Sequence, residues 1–126
     1  MRKASNGILL LIIGVIFAAV FFTRDGILNE PAPAFSLPDV AGGKIDLASY
    51  RGRPVLLAFW TTSCPICRSE LPLLSQLAPE LRGKGIEVLA IELGGPEGVA
   101  DYLRDYRIRL RTLTDSDGTV GRAYGA

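Results

Sequence analysis

The chain has no histidine, and among its 126 residues there are two cysteines, one methionine and one tryptophan. These shortages exclude several functions. A structural zinc site takes four Cys or His ligands, so two cysteines alone leave a complete intrachain site impossible. Covalent haem attachment asks for His directly after the second cysteine of a CxxC pair, and Arg68 stands there. Charge of either sign is not in excess: 14 basic and 13 acidic residues leave a net charge of +1. They are interspersed, which gives no basic footprint for nucleic acid. No internal repeat or low-complexity tract occurs, and at this length the chain holds at most one domain plus an appendage.

What is present gathers around one stretch. Val55 to Trp60 is a continuous apolar run of strand length, as expected for a strand covered on both faces. Thr61, Thr62 and Ser63 end it, Cys64-Pro65-Ile66-Cys67 follows, and a helical pattern then begins. Pro65 suits a first helical turn, where its missing N–H costs little. A helix N-terminus offers unpaired N–H groups and the positive end of the macrodipole, and both favour a thiolate. Cys64 is therefore the expected nucleophile, with its pKa depressed. Cys67, one turn below, is the expected resolving thiol for a mixed disulfide at Cys64. A merely structural disulfide across two residues would close too small a loop to stabilise much. Two reduced cysteines packed under a helix remain the alternative.

Residues 4–23 carry no charge, behind Arg2 and Lys3. Twenty helical residues at ~1.5 Å each span about 30 Å, the thickness of a hydrocarbon core. Residues 1–24 are thus expected to be an uncleaved transmembrane anchor, with the basic flank inside and the rest of the chain outside. No clean small-x-small cleavage site follows the run, which argues against a removed signal peptide. Residues 25–33 read as a linker and 34–126 as the redox domain. Phe35, Leu37, Ile45 and Leu47 alternate on either side of Ala41-Gly42-Gly43, a hairpin pattern. Leu71, Leu74, Leu77, Ala78 and Leu81 form an apolar helical stripe, with a kink or restart expected at Pro72 or Pro79. A strand over 86–93, a turn at Gly94-Gly95-Pro96 and a short helix over 97–106 follow. The segment 108–113 alternates with Arg107, Arg109 and Arg111; it reads as an exposed strand or extended loop with a solvated arginine face, a docking patch for an acidic partner being the alternative. Strands alternating with helices predict an α/β fold with a mostly parallel sheet.

Phe59-Trp60, Cys64-Pro65-Ile66-Cys67-Arg68, Glu70 and Pro72 together resemble the membrane-anchored TlpA/ResA/CcmG group of thioredoxin-fold proteins. Ala32-Pro33-Ala34-Phe35-Ser36-Leu37 and Asp115-Ser116-Asp117-Gly118 leading to Ala123-Tyr124-Gly125 extend the resemblance over nearly everything after the first 30 residues. It implies a thioredoxin-like fold with an N-terminal β-hairpin extension. It also implies an extracytoplasmic thiol–disulfide oxidoreductase at a bacterial cytoplasmic membrane, with no cofactor and no metal. The implied client is a protein disulfide, typically that of apocytochrome c before haem attachment, and the implied electron donor is a membrane thiol carrier of the CcdA/DsbD type. Trp60, Pro65 and Ile66 would border the redox-active pair.

Three positions depart from that pattern. Ser63 stands where relatives often have a tryptophan that shapes the rim near the thiol. Ala58 occupies the place of the buried acid that serves thioredoxins as proton acceptor. Glu70, three residues after Cys67, matches an acidic position of the ResA-like proteins and is the candidate acceptor here, a solvent-facing helix residue being the alternative. In the family, Tyr124-Gly125 leads into a cis-proline loop, two strands and a last helix, while this sequence ends at Ala126; the expectation is an incomplete fold with one edge of the 55–60 strand uncovered. Other functions stay open at this point. A peroxidase would want Pro seven and Thr three residues before its reactive cysteine, and the chain has Leu57 and Thr61. A Cu(I) carrier could use the two soft thiolates. An inert tethered module is the third.

Overall fold

The computed structural model describes residues 8, 10–16 and 30–126, and the chain divides into two units between Ala32 and Pro33. The expected anchor falls largely outside the described residues. Residue 8 and residues 10–16 are helical, with the side chains of Leu10, Leu11 and Val15 exposed. Among the described residues no helix is long and apolar enough to cross a membrane.

In the second unit, Leu37 and Ile45 pair across an antiparallel hairpin of β1 (Ser36–Pro38) and β2 (Lys44–Asp46). Its turn is held by the Asp39 carboxylate, which accepts the Ala41 N–H at 2.9 Å. The expected hairpin is present, and a 3₁₀ turn, Leu47–Tyr50, follows it. Val40 N–H then donates to the Thr112 carbonyl at 2.9 Å, tying the hairpin to the main sheet.

That sheet is parallel, in the order β3 (Val55–Trp60), β4 (Glu87–Glu92), β5 (Arg111–Thr114). The register sets Trp60 beside Glu92 and Glu92 beside Thr114, so the three carboxyl ends are level. Because successive side chains alternate, β4 feeds two cores. Val88 and Ala90 join Trp60 against helix α1 (Cys67–Gly83) and helix α2 (Val99–Asp105). Leu89 and Ile91 join Leu113, Phe35, Leu37 and Tyr50 on the opposite face, beneath the hairpin and a short helix α3 (Thr119–Ala123). Within this sheet β3 is an edge strand, and its Leu56 stays 42 % exposed. The arrangement is a thioredoxin-like α/β fold with an N-terminal hairpin.

Several sequence expectations change. Helix α1 runs unbroken through Pro72 and Pro79 instead of restarting. Each ring removes one backbone donor, but burial of Leu71 and Ala78 holds the turns that flank them. Leu77 lies off the packed stripe and is 43 % exposed. Leu71, Leu74, Ala78 and Leu81 alone turn inward. The arginine row is also divided. Ile108 and Leu110 are buried, and Arg111 donates to the Tyr50 hydroxyl at 3.1 Å and pairs with Asp39 at 3.4 Å. It ties hairpin to sheet while its side chain stays half exposed.

The three α-helices of this unit close alike. After α1, Gly85 lies at φ +83° while the Ile86 N–H reaches back to the Leu81 carbonyl. After α3, Gly125 lies at φ +73° while Ala126 N–H reaches Gly121. This closure needs a left-handed residue, and glycine supplies it without a Cβ penalty. After α2 the same bonds form, Arg107 N–H to Arg104 and Ile108 N–H to Leu103, but the left-handed residue is Arg107 at φ +55°.

Candidate active site

At the end of β3 the chain leaves the sheet through a tight turn in which the Cys64 N–H donates to the Thr61 carbonyl at 3.2 Å. The hydroxyls of Thr61 and Ser63 lie 3.2 Å apart beside it. Pro65 and Ile66 already follow a helical course, Ile66 at φ −66° and ψ −37°, so Cys64 stands just ahead of the first turn of α1. Cys64 and Cys67 are joined in a disulfide, with Cα atoms 5.3 Å apart. That separation is ordinary for a bridge. The Cys67 N–H points at the Cys64 sulfur, 3.3 Å away. This is the helix-terminus donor that the spacing predicts. It would remain in place beside a thiolate once the bridge is reduced.

The two sulfurs have different surroundings. Cys67 packs against the cluster built on Trp60, Leu71 and Ala90. Cys64 is half-buried, between exposed Ser63 and exposed Pro65 and Ile66, the last 65 % exposed. Cys67 is half-buried as well, so what separates the two is the exposed stretch on either side of Cys64. A cleft of about 330 Å³, lined by Asp39, Val40, Leu103 and Leu110 among others, holds none of these residues. The chemistry belongs to the rim of α1, where a macromolecular disulfide can approach.

Trp60 lies beneath this rim, 2 % exposed, its ring 5.1 Å from that of Tyr102. Its Nε1–H and the Tyr102 hydroxyl are buried with no hydrogen-bond partner among the described residues. Tyr102 in turn stacks at 4.5 Å on Tyr106, over which the Arg68 guanidinium sits at 6.0 Å. An aromatic row thus runs from the end of β3 to the surface next to Cys67.

Glu70 is on the first turn of α1 and exposed. The buried carboxylate of this region is Glu92, which sequence reasoning missed. It ends β4 at 2 % exposure, level with Trp60, and accepts the N–H groups of Gly94 at 2.9 Å and Gly95 at 2.7 Å. Burying a charge is costly unless it is hydrogen-bonded, and these two amides satisfy it. A signal was available: an acid near the end of an apolar run, two residues before Gly94-Gly95. On the opposite face Asp115, 1 % exposed, caps α3 by accepting from Val120 at 3.3 Å and Gly121 at 2.7 Å. The Tyr124 hydroxyl donates to the Pro33 carbonyl at 2.7 Å, so the two terminal motifs of the resemblance meet here. No group of three or more acidic or thiol residues suited to a metal ion occurs among the described residues.

Comparison with known proteins agrees with this geometry. Residues 28–126 match the AhpC/TSA family. The chain is 33 % identical over 128 residues to Thiol-disulfide oxidoreductase ResA of Geobacillus thermodenitrificans, covering 99 % of this chain and 74 % of that protein. To the ResA of Bacillus cereus it is 30 % identical over 99 residues, covering 78 % and 57 %. A solved structure of a secreted Mycobacterium tuberculosis disulfide oxidoreductase, described as homologous to Escherichia coli DsbE, superposes with a TM-score of 0.64 at 30 % identity, over 71 % of this chain and 66 % of that one. The chain thus spans between 57 % and 74 % of the length of these relatives.

Proposed function

Because the chain belongs to the AhpC/TSA family, we propose that it is a thiol–disulfide oxidoreductase working through the Cys64–Cys67 pair as a protein-disulfide reductase. The observation that carries this reading is the disulfide at the start of α1, with the half-buried Cys64 ahead of the helix and the Cys67 N–H aimed at its sulfur. In the dithiol form, the Cys64 thiolate attacks one sulfur of the client disulfide. A mixed disulfide forms and one client thiolate leaves. The Cys67 thiolate then attacks the Cys64 sulfur, forming the intramolecular bridge and releasing the second client thiolate. Two electrons pass to the client, and the two protons of the dithiol end on its thiols. Glu70, exposed on the first turn of α1 three residues after Cys67, takes the Cys67 proton in the second step. Pro65 and Ile66 shape the approach to the sulfur, and Trp60 supports the turn from below.

The client class is an exported protein disulfide of the apocytochrome c kind, and the restoring reductant is a dithiol carried by a membrane protein of the CcdA/DsbD type. The uncharged run 4–23, with exposed apolar side chains at Leu10, Leu11 and Val15, supports anchoring in the cytoplasmic membrane, the redox unit lying outside. The test is equilibration of the full chain in neutral detergent with dithiothreitol or glutathione redox pairs, followed by insulin-disulfide reduction. A potential near thioredoxin's ~−270 mV with turnover of insulin is expected. A much higher potential would identify an oxidant or isomerase. Absence of exchange from a folded, reduced chain would end the enzymatic reading.

A further inference from the structure

Of the eleven Lys and Arg residues of this unit, four take part in ion pairs and seven have none among the described residues. Of those seven, Lys44 lies on β2, Arg51 and Arg53 precede β3 and Arg122 is on α3. Arg82 pairs with Glu87, Lys84 with Glu80, Arg111 with Asp39, and Arg104 with both Asp101 and Asp105. Arg68, Arg107 and Arg109 are exposed, and among the described residues none of the three has an ion-pair partner. These three are neighbours. The Arg68 guanidinium lies over the ring of Tyr106, the residue before Arg107, and the Arg109 N–H donates at 2.6 Å to the Ser75 hydroxyl, two turns along α1 from Arg68. The acids of α2 closest in sequence, Asp101 and Asp105, are both occupied by Arg104. Three cations without an ion pair therefore lie along the flank of the helix that begins at the disulfide, against one exposed carboxylate there, Glu70.

One of the three is also kept at a position that opposes it. Two helices of this fold close on a left-handed glycine, Gly85 and Gly125, and α2 closes with the same hydrogen bonds on Arg107 at φ +55°. A side chain is disfavoured in that conformation. A non-glycine residue held in a strained conformation is a pointer from structure to function. Tyr106 adds a 40 % exposed aromatic surface beneath Arg68.

We propose that Arg68, over the ring of Tyr106, and Arg107 and Arg109, exposed in the segment that follows that ring, form a docking surface for an acidic, extended segment flanking the disulfide of the client protein. The proposal rests on the thiol–disulfide exchange reading above and adds the chemical class of client that the site prefers. Rim charges of this kind act chiefly on encounter rate and give it a salt dependence.

The test uses the full chain, reduced, in neutral detergent, with two disulfide-bridged peptides of one sequence whose flanks carry either four glutamates or four glutamines. Uncharged hydroxyethyl disulfide reports exchange itself. The acidic peptide should react about tenfold faster than the neutral one at low ionic strength, as steered encounters do, with the ratio collapsing towards one at high salt. Arg107→Gly and Arg109→Gln should each lower the ratio, and Lys44→Gln, on the hairpin, should not. Arg107→Gly should also raise the urea midpoint, since it removes the left-handed strain. A stabilised Arg107→Gly protein with an undiminished ratio would show that the arginine is only a tolerated helix end and overturn the proposal. A ratio of one in the parent chain would do the same. If Arg107→Gly and Arg109→Gln weakened binding to anionic phosphatidylglycerol vesicles and left the peptide ratio intact, the surface would read membrane and the proposal would fail. Failure with hydroxyethyl disulfide as well would instead strike the exchange reading itself.

Discussion

Once the bridge is reduced, the two thiols should separate in reactivity as the pH falls. Cys64 has the Cys67 N–H 3.3 Å from its sulfur and the start of α1 behind it. A hydrogen bond to a charged acceptor contributes about 1.5–3 kcal/mol. A helix N-terminus adds roughly 0.3–1 kcal/mol. Sulfur is a weak acceptor and Cys64 is half in solvent, so about 1.4 kcal/mol in favour of the thiolate is a fair net, which is tenfold in its population. A more stable thiolate is a poorer nucleophile, with a Brønsted slope of about 0.4–0.5, so roughly a threefold rate advantage survives. Packing of Cys67 against Trp60 and Leu71 disfavours its own thiolate and widens the gap, to about three- to tenfold overall. The assay is labelling of the reduced chain with limiting iodoacetamide between pH 5 and pH 9, mapped by mass spectrometry, alongside Cys64→Ala and Cys67→Ala. The Cys67→Ala protein keeps its backbone donor and should keep the fast thiol. Equal labelling, or faster modification of Cys67 at low pH, would refute the assignment of Cys64 as nucleophile.

Glu70→Gln should slow decay of the mixed disulfide about tenfold near neutral pH, below the full effect of a buried general base, and leave its formation unchanged. Rapid acid quench with product mapping reads both steps, and an unaltered decay would reduce Glu70 to a surface residue. Asp115→Ala should cost about 2–4 kcal/mol in urea unfolding, because two buried N–H groups at the start of α3 lose their acceptor. Asp115→Asn, which keeps one acceptor oxygen, should cost about half of that. Burial raises the pKa of Tyr124, so the folded state holds that proton to higher pH than the unfolded chain does. The associated stability is present below the ordinary phenol range near ~10 and is lost as pH rises through the folded value. Urea midpoints measured from pH 8 upward should therefore fall less steeply for Tyr124→Phe than for the parent chain.

Much of the site was legible because its parts are consecutive. Residues 55 to 67 carry an apolar strand, a polar turn and two thiols at one-turn spacing, and each of these follows from local preference and covalent geometry. The hairpin was readable for the same reason, its alternation and its glycine turn lying within about a dozen residues. Helix α3 was not anticipated as a helix, being only five residues long and depending on the Asp115 cap rather than on periodicity. Leu77 was misplaced because an apolar residue at helical spacing shows that a face exists, and what covers that face is settled elsewhere.

By itself the sequence determined the redox pair, the strand and helix that present it, the hairpin and the candidate nucleophile, since all of these are set by neighbours along the chain. Only tertiary structure decided which charges are spent and which are free. Arg111 meets Tyr50 across 61 positions, Tyr124 meets Pro33 across 91, and Arg68 meets Tyr106 from another helix. Parallel pairing brings Glu92 level with Trp60 and buries it there. Charge and burial act through space. The same arginine letter is therefore a structural tie at 111 and a cation without an ion pair at 107, and that difference appears once the topology has chosen the neighbours.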